Sequence, residues 1–336
     1  MRGSLYIHGV GSALPKTEIT NDFLHREAGL EKGQDWVDSR LGINLRYSVL
    51  SLDYIRETKN KNPNQAVLHA RARGETPLSL AVLAAKEALA RAQVSPRQIG
   101  WVIANCDTPF ETIPCLANQI AGEIGARPGP HCDINSACSS FSLHMKVLAD
   151  METERLPEFV LCVQSSAYTT RTDYSPKSVD GYIWGDGAAA EVVSARHLGR
   201  LKIEPMIFET KSEGADEIVI DAVGHFRQNG AAVREFSIRK TCEMFEEIAQ
   251  KKGLYAEECY TIAHQANFVM QNSILDHLKL PVERHLRNVR EQGNIAAAGC
   301  PSVLAQNWEK FKKGSRIVYA VLGAGLAWGG GYMEVL

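Results

Sequence analysis

Cys138 is the first residue whose surroundings point to chemistry. The segment Asp133-Ile134-Asn135-Ser136-Ala137-Cys138-Ser139-Ser140-Phe141 passes from a short extended piece through small residues into a helical pattern carrying Phe141, Val147, Leu148 and Met151. That pattern places Cys138 at a helix N-terminus, where backbone N–H groups and the helix dipole favour a thiolate and hence a nucleophile near neutral pH. The bland reading is a small buried hydrophobe, which most free cysteines are. In Tyr260-Thr261-Ile262-Ala263-His264-Gln265-Ala266-Asn267 a short apolar strand ends in His264 before a new helical stretch. Strand ends are where α/β folds place reacting groups, yet the chain has ten histidines, and a lone one is more often structural. In Gly293-Asn294-Ile295-Ala296-Ala297-Ala298-Gly299-Cys300-Pro301, Asn294 either caps a closely packed helix or joins His264 in hydrogen bonding to a developing enolate oxygen. Leu322-Gly323-Ala324-Gly325-Leu326-Ala327-Trp328-Gly329-Gly330-Gly331 follows a strong strand, and its backbone can approach a reacting group closely. A dinucleotide loop is the rival there; it lacks room before Leu336 for the helix and second strand of a βαβ unit.

The elements that must position these residues read as α/β. Trp101-Val102-Ile103-Ala104, Phe159-Val160-Leu161-Cys162-Val163 and Arg316-Ile317-Val318-Tyr319-Ala320-Val321 are buried-strand candidates. Leu80, Leu83, Ala84 and Ala88 share one helical face, and Ile238, Thr241, Cys242, Phe245, Ile248 and Ala249 keep helical spacing. A polar, glycine-containing stretch near Ser194 to Arg200 divides the chain into an N-terminal half, 1–196, and a C-terminal half, 197–336. Residues 50–75 are polar and of mixed charge, and read as a long loop.

Composition bounds the function. The 336 residues are 45% hydrophobic, enough for a large core. Lysine and arginine total 37 against 39 acidic residues, giving a net charge of −2 and no overall pull toward nucleic acid or anionic membrane. The start lacks a long apolar segment and no run of apolar residues spans a bilayer, so a soluble cytoplasmic protein is expected. The eight cysteines are scattered without a C-x-x-C pair, which signals neither a metal site nor a disulfide framework.

Taken together, the four segments resemble the signature set of the β-ketoacyl synthase III branch of the thiolase superfamily. His8-Gly9-Val10-Gly11-Ser12-Ala13-Leu14-Pro15, Asp35 through Ile43 and Trp184-Gly185-Asp186-Gly187-Ala188 extend the likeness over nearly the whole chain. The resemblance implies a five-layered αβαβα thiolase fold of two similar halves, working as a homodimer. It implies that Cys138 is acylated, that His264 and Asn294 stabilise decarboxylation of a malonyl-type extender, and that the Cys138 and Ala324 amides form the oxyanion hole. The enolate then attacks the acyl-enzyme to make a carbon–carbon bond. By the same likeness Trp36 and Arg171 hold the adenine of coenzyme A, Arg40 belongs to the substrate-binding set and Asn267 contacts pantetheine. Coenzyme A or acyl carrier protein thioesters are then substrates, and no further cofactor is implied.

Three departures separate the chain from the family pattern. Val269 stands where a basic residue docks the carrier protein, Gly230-Ala231 replaces a Gly-Asn pair, and Gly323-Ala324-Gly325 replaces a triple glycine. They point to a specialised pathway, fatty-acid-like or polyketide. An acyltransferase delivering to a hydroxyl or amine, and a partner subunit of a heteromeric synthase, are the rival readings. Keeping both His264 and Asn294 argues for carbanion chemistry over simple acyl transfer. A papain-like hydrolase is weaker still, needing another motif order around its cysteine.

Overall fold

The computed structural model describes residues 4–336. Ten strands carry the frame: β1 (Leu5–Ala13), β2 (Ile99–Cys106), β3 (Cys132–Asp133), β4 (Phe159–Ala167) and β5 (Asp186–Ser194), then β6 (Leu201–Thr210), β7 (Tyr260–Ala263), β8 (His285–Leu286), β9 (Arg316–Gly323) and β10 (Ala327–Val335). The first five lie in the order β1-β5-β4-β2-β3 and the second five in the order β6-β10-β9-β7-β8. Each strand of the second set thus occupies the place of its counterpart in the first. The sense agrees too: β2, β3 and β4 are mutually parallel, as are β7, β8 and β9. A short antiparallel pairing, Leu5 with Ile203 through Ile7 with Leu201, joins the two sets.

Helices complete five layers. The helix Pro77–Ala92 covers β1, β4 and β5 on one outside, and Gly230–Lys251 covers β9 and β10 on the other. Between the sheets lie Ser140–Asp150, which touches β4 and also β6, and Gly299–Gln306, which touches β7 and also β1 and β5. The two sets of strands therefore share a central layer, and the thiolase-like architecture expected from the sequence is the one observed. Pro77–Ala92 begins at a capping box: Thr76 Oγ1 accepts from the Ser79 N–H at 3.1 Å and Ser79 Oγ from the Thr76 N–H at 2.9 Å. Its buried face is Leu80, Ala81, Ala84, Ala85 and Ala88; Leu83 points outward.

Residues 50–75 are not a long loop. They form two helices, Leu52–Thr58 and Pro63–Ala72. Ser51 caps the first through the Tyr54 N–H at 3.2 Å, and Asn62 caps the second through the Asn64 N–H at 3.0 Å, with Pro63 starting it. Between them Asn60 is fully buried, and its amide donates to the carbonyls of Thr169, Thr170 and Thr172 at 3.1, 3.1 and 2.8 Å. The insert is thereby stitched onto the turn that follows β4.

The central layer carries an ionisable group far from any solvent. Glu191 on β5 is fully buried; its Oε2 accepts from Gln164 at 3.3 Å while its Oε1 has no partner. Burial pushes its pKa from 4.5 up to about 8. The folded value is above the unfolded one, so this group's favourable contribution is complete below the unfolded pKa and is lost as pH rises toward about 8. Glu191→Gln is expected to stabilise the fold at mildly alkaline pH by about 2–4 kcal/mol, with no gain in acid. Urea unfolding midpoints across a pH series measure this; a gain independent of pH would disprove it.

Candidate active site

All four sequence motifs reach one cavity of about 520 Å³, whose lining includes Cys138, His264, Asn294 and Ala324. Topology explains the convergence. β7 ends at Ala263, so His264 emerges at the carboxyl end of a strand running parallel to β9. β9 ends at Gly323, whose hydrogen faces the nucleophile turn: a Cβ there would lie 2.9 Å from the Ser136 oxygen and 3.0 Å from the Cys138 nitrogen. Only glycine lets the two chains meet so closely. Ala324 follows at the cavity wall beside the thiol.

Cys138 stands just before the helix Ser140–Asp150 in a turn that is itself constrained. Ala137 has φ of 46°, a left-handed conformation uncommon for a residue with a side chain. Asn135 Oδ1 accepting the Ala137 N–H at 2.7 Å, and Ser140 Oγ donating to the Ala137 carbonyl at 2.7 Å, hold it there. Burial, and after it the negative charge of Asp107, raise the thiol's pKa, while the Cys138 backbone N–H pulls the other way. The helix-start position is not unique: Cys115 is the N-cap of Leu116–Ile124, and Cys300 lies in the first turn of Gly299–Gln306. What sets Cys138 apart is the cavity.

The other two groups are prepared as neutral donors. Desolvation lowers the His264 pKa to about 4, so its imidazole is uncharged near neutrality, and its Nδ1 has no hydrogen-bond partner within the protein. Asn294 Oδ1 accepts the Ala296 N–H at 2.9 Å, which fixes the amide so that its NH₂ is the group left to donate. The Asn294 backbone is pinned to the Trp184 segment by bonds to Ile183 and Gly185 of 2.9 and 3.0 Å. Gly293, at φ 70°, permits that approach, since a Cβ there would meet Arg46 Cγ at 2.8 Å.

Trp36, Arg40 and Asn267 also line the cavity. Asn267 caps the helix Phe268–Leu278 through its Oδ1 and the Met270 N–H at 2.9 Å, which leaves its NH₂ available. Arg171 is not brought to the cavity. It lies in the turn Tyr168–Arg171 against the helix Pro63–Ala72, 7% exposed, with Nη1 unpartnered.

Sequence reasoning missed the aromatic and acidic groups beside the thiol. Tyr168 stacks on Trp184 with centroids 4.1 Å apart, and Phe226 abuts Trp184 edge-on at 4.6 Å; all three line the cavity. The Tyr168 hydroxyl donates to Asp107 Oδ2 at 3.1 Å. A signal was present: Asp107 and Tyr168 each directly follow one of two adjacent parallel strands, β2 and β4, at the ends where reacting groups collect.

Relatives share this arrangement of chain. Residues 132–212 match the family described as 3-oxoacyl-[acyl-carrier-protein (ACP)] synthase III, and residues 249–335 match its C-terminal counterpart. Together these cover half of the chain. It belongs to the β-ketoacyl synthase III family. Within that family the chain is 28% identical to the β-ketoacyl-[acyl-carrier-protein] synthase III of Bacillus pumilus, over 96% of each chain. The crystal structure of 3-oxoacyl-[acyl-carrier-protein] synthase III from Aquifex aeolicus superimposes with a TM-score of 0.84 at 26% identity, covering 98% of this chain and 99% of that one. The priming β-ketosynthase of the R1128 polyketide biosynthetic pathway shares the fold at 23% identity, with a TM-score of 0.83 and coverage of 99% and 97%. The chain is thus a condensing-type enzyme on the thiolase fold. No helix among the described residues is long and apolar enough to cross a membrane.

Proposed function

We propose that the chain takes an acyl group from a thioester onto Cys138 and condenses it, with loss of carbon dioxide, with a malonyl-type thioester. The convergence of Cys138, His264 and Asn294 on one cavity carries the reading. A neutral imidazole and an oriented amide can both donate to the thioester oxygen as it becomes an enolate, which is what decarboxylation requires. The Cys138 and Ala324 amides then hold the oxyanion formed when the carbanion attacks the acyl-enzyme. Acyl transfer to Cys138 and carbon–carbon bond formation are successive steps of one reaction, and no resident cofactor takes part. Trp36, Arg40 and Asn267 belong to the substrate arm of the cavity, and a cytoplasmic homodimer is the proposed working unit. The test is intact-protein mass spectrometry with acyl-coenzyme A, followed by a malonyl thioester with carbon dioxide measured. Loading without carbon dioxide release, with transfer to an added alcohol or amine, would favour the acyltransferase alternative.

The delivery of substrate follows from the cavity mouth. Val269 lines it where the family has a basic residue, and Arg239 and Lys240 are engaged by Glu243 at 2.9 and 2.7 Å. Arg40 and Arg234 remain at the lining. An exposed docking pair contributes about 1 kcal/mol or less. Condensation rates for the same acyl and malonyl groups on coenzyme A and on carrier protein are therefore expected to agree within about tenfold across a salt series. A strong carrier preference that collapses with salt would show the basic patch rebuilt elsewhere.

A further inference from the structure

Arg46 is fully buried on the short strand Leu45–Ser48, and the hydrogen bonds that hold it there lead to Asn294. Its Nε donates to the Tyr182 carbonyl at 2.9 Å, its Nη2 to that same carbonyl and, at 3.1 Å, to the Ile43 carbonyl, and its Nη1 to Asn21 Oδ1. Asn21 is itself fixed, since its Nδ2 donates to the Ile43 carbonyl at 2.9 Å. One residue beyond Tyr182, the Ile183 carbonyl accepts the Asn294 N–H at 2.9 Å, and the Gly185 N–H donates to the Asn294 carbonyl at 3.0 Å. This two-bond bridge between the Trp184 and Asn294 segments stands alone, outside the strands of the sheet. Arg46 touches both of its sides. The guanidinium grips the carbonyl next to Ile183, and the stem lies against Gly293, where a Cβ would come within 2.8 Å of Arg46 Cγ and 3.0 Å of the Ile183 oxygen.

Filling space does not explain this side chain. Its acceptors are two main-chain carbonyls and a side-chain amide, all neutral, so none of them offsets the buried positive charge by an ion pair. An apolar side chain of the same volume would fill the site at a lower desolvation cost. What it could not do is hold one carbonyl from two N–H groups at once, as a planar guanidinium fork does. The carbonyl so held ends the single short turn Asp180–Tyr182, and Ile183 through Gly185 run on from it before β5 begins at Asp186. The nucleophile turn is fixed separately, by Asn135, Ser140 and the close approach of Gly323, and none of these is a partner of Arg46.

We propose that Arg46 is a positioning residue for decarboxylation: it holds the Trp184 segment so that the Asn294 backbone, and with it the side-chain NH₂, stays aimed at the developing enolate oxygen. This rests on the reading of Asn294 as an enolate donor. Arg46 is not part of the cavity lining and acts through the two-bond bridge. Asn294 Oδ1 is committed to the Ala296 N–H at 2.9 Å, so the direction of the amide follows the backbone that carries it. A backbone shift at Asn294 displaces the donor while leaving Cys138 and the turn at Gly323 and Ala324 in place.

The experiment compares the wild-type chain with Arg46→Met, each with and without Asn294→Ala, in two single-turnover measurements. One is Cys138 loading by butyryl-coenzyme A, read by time-resolved intact mass; the other is carbon dioxide release when the loaded chain meets malonyl-coenzyme A. Methionine keeps an unbranched stem over Gly293 and removes every donor. Arg46→Met is expected to slow carbon dioxide release at least about tenfold, up to the factor of about 10²–10³ for losing the Asn294 donor outright, while loading stays within about threefold of wild type. In the Asn294→Ala background the same substitution should cost less than about twofold, because a residue acting through Asn294 then has nothing to position. Undiminished carbon dioxide release in Arg46→Met, equal loss of loading and release, or a fully additive loss in the double variant would overturn the proposal and leave Arg46 a packing residue. Amide hydrogen exchange adds a readout that needs no catalysis: peptides carrying Gly185 and Asn294 should exchange faster in Arg46→Met, and those carrying Ala137 to Ser140 should not. If the wild-type chain neither loads nor releases carbon dioxide, the condensing reading fails; exchange then decides whether Arg46 holds Asn294, and unchanged or uniformly faster exchange rejects it. Should the methionine variant not fold, Arg46→Lys, which keeps the charge without the planar fork, is judged by the same criteria.

Discussion

Cys138→Ala is expected to abolish covalent loading, with a fall in overall turnover of at least about 10³-fold, while the fold and the other seven thiols remain. Seven alternatives exist, and the structure ranks them. Cys106, Cys162 and Cys300 are buried, their thiols pushed up by desolvation, and none lines the cavity. Cys242 and Cys259 are packed in the core of the second half, each pushed up to about 11. Cys115 and Cys132 are partly exposed but lie outside the cavity. Among the described residues, Cys138 is the one cysteine that lines the cavity. Peptide mapping of the adduct after exposure to acyl-coenzyme A checks this. Stoichiometric loading of the alanine variant at another cysteine, with normal turnover, would remove Cys138 from the centre of the mechanism.

How much of this was legible in the chain depends on the range over which each property is set. His264 and Asn294 could be found locally, because each sits where an apolar strand or a glycine turn hands over to a helix. The two halves share no visible repeat, yet their strands superimpose in order and sense; backbone topology persists where side chains have diverged. Residues 50–75 misled because their charges and small residues mask two short helices, although Ser51 and the Asn62-Pro63 pair are local cap signals. The acidity of the Cys138 thiol was illegible for a different reason. The helix start is written beside it, but the burial that raises the thiol's pKa, and after it the charge of Asp107 from the end of another strand, arise only when the sheet assembles. Arg171 is not part of the cavity lining, and the helix Pro63–Ala72, distant in sequence, packs against its turn.

The second large effect is expected at His264 and Asn294, and it should divide the reaction in two. Loading asks the site to accept a thiol proton and hold one oxyanion; decarboxylation asks it to hold an enolate. The His264 imidazole and the Asn294 amide are arranged for the latter: one is neutral, the other has its carbonyl oxygen tied to Ala296 so that its NH₂ remains to donate. Removing one donor from such a pair costs about 10²–10³ in rate. His264→Ala and Asn294→Ala should therefore lose condensation by about that factor while keeping at least about a tenth of wild-type loading. The pH dependence carries an independent sign. A histidine whose pKa falls from 6.5 to about 4 stays neutral at every pH above that, so decarboxylation should show no step near the ordinary histidine value. Single-turnover carbon dioxide release from preloaded enzyme between about pH 5 and pH 8 measures it. A rise through the ordinary histidine range would mean that the imidazole is held charged during the reaction, and equal loss of both half-reactions in both variants would assign these residues to structure instead.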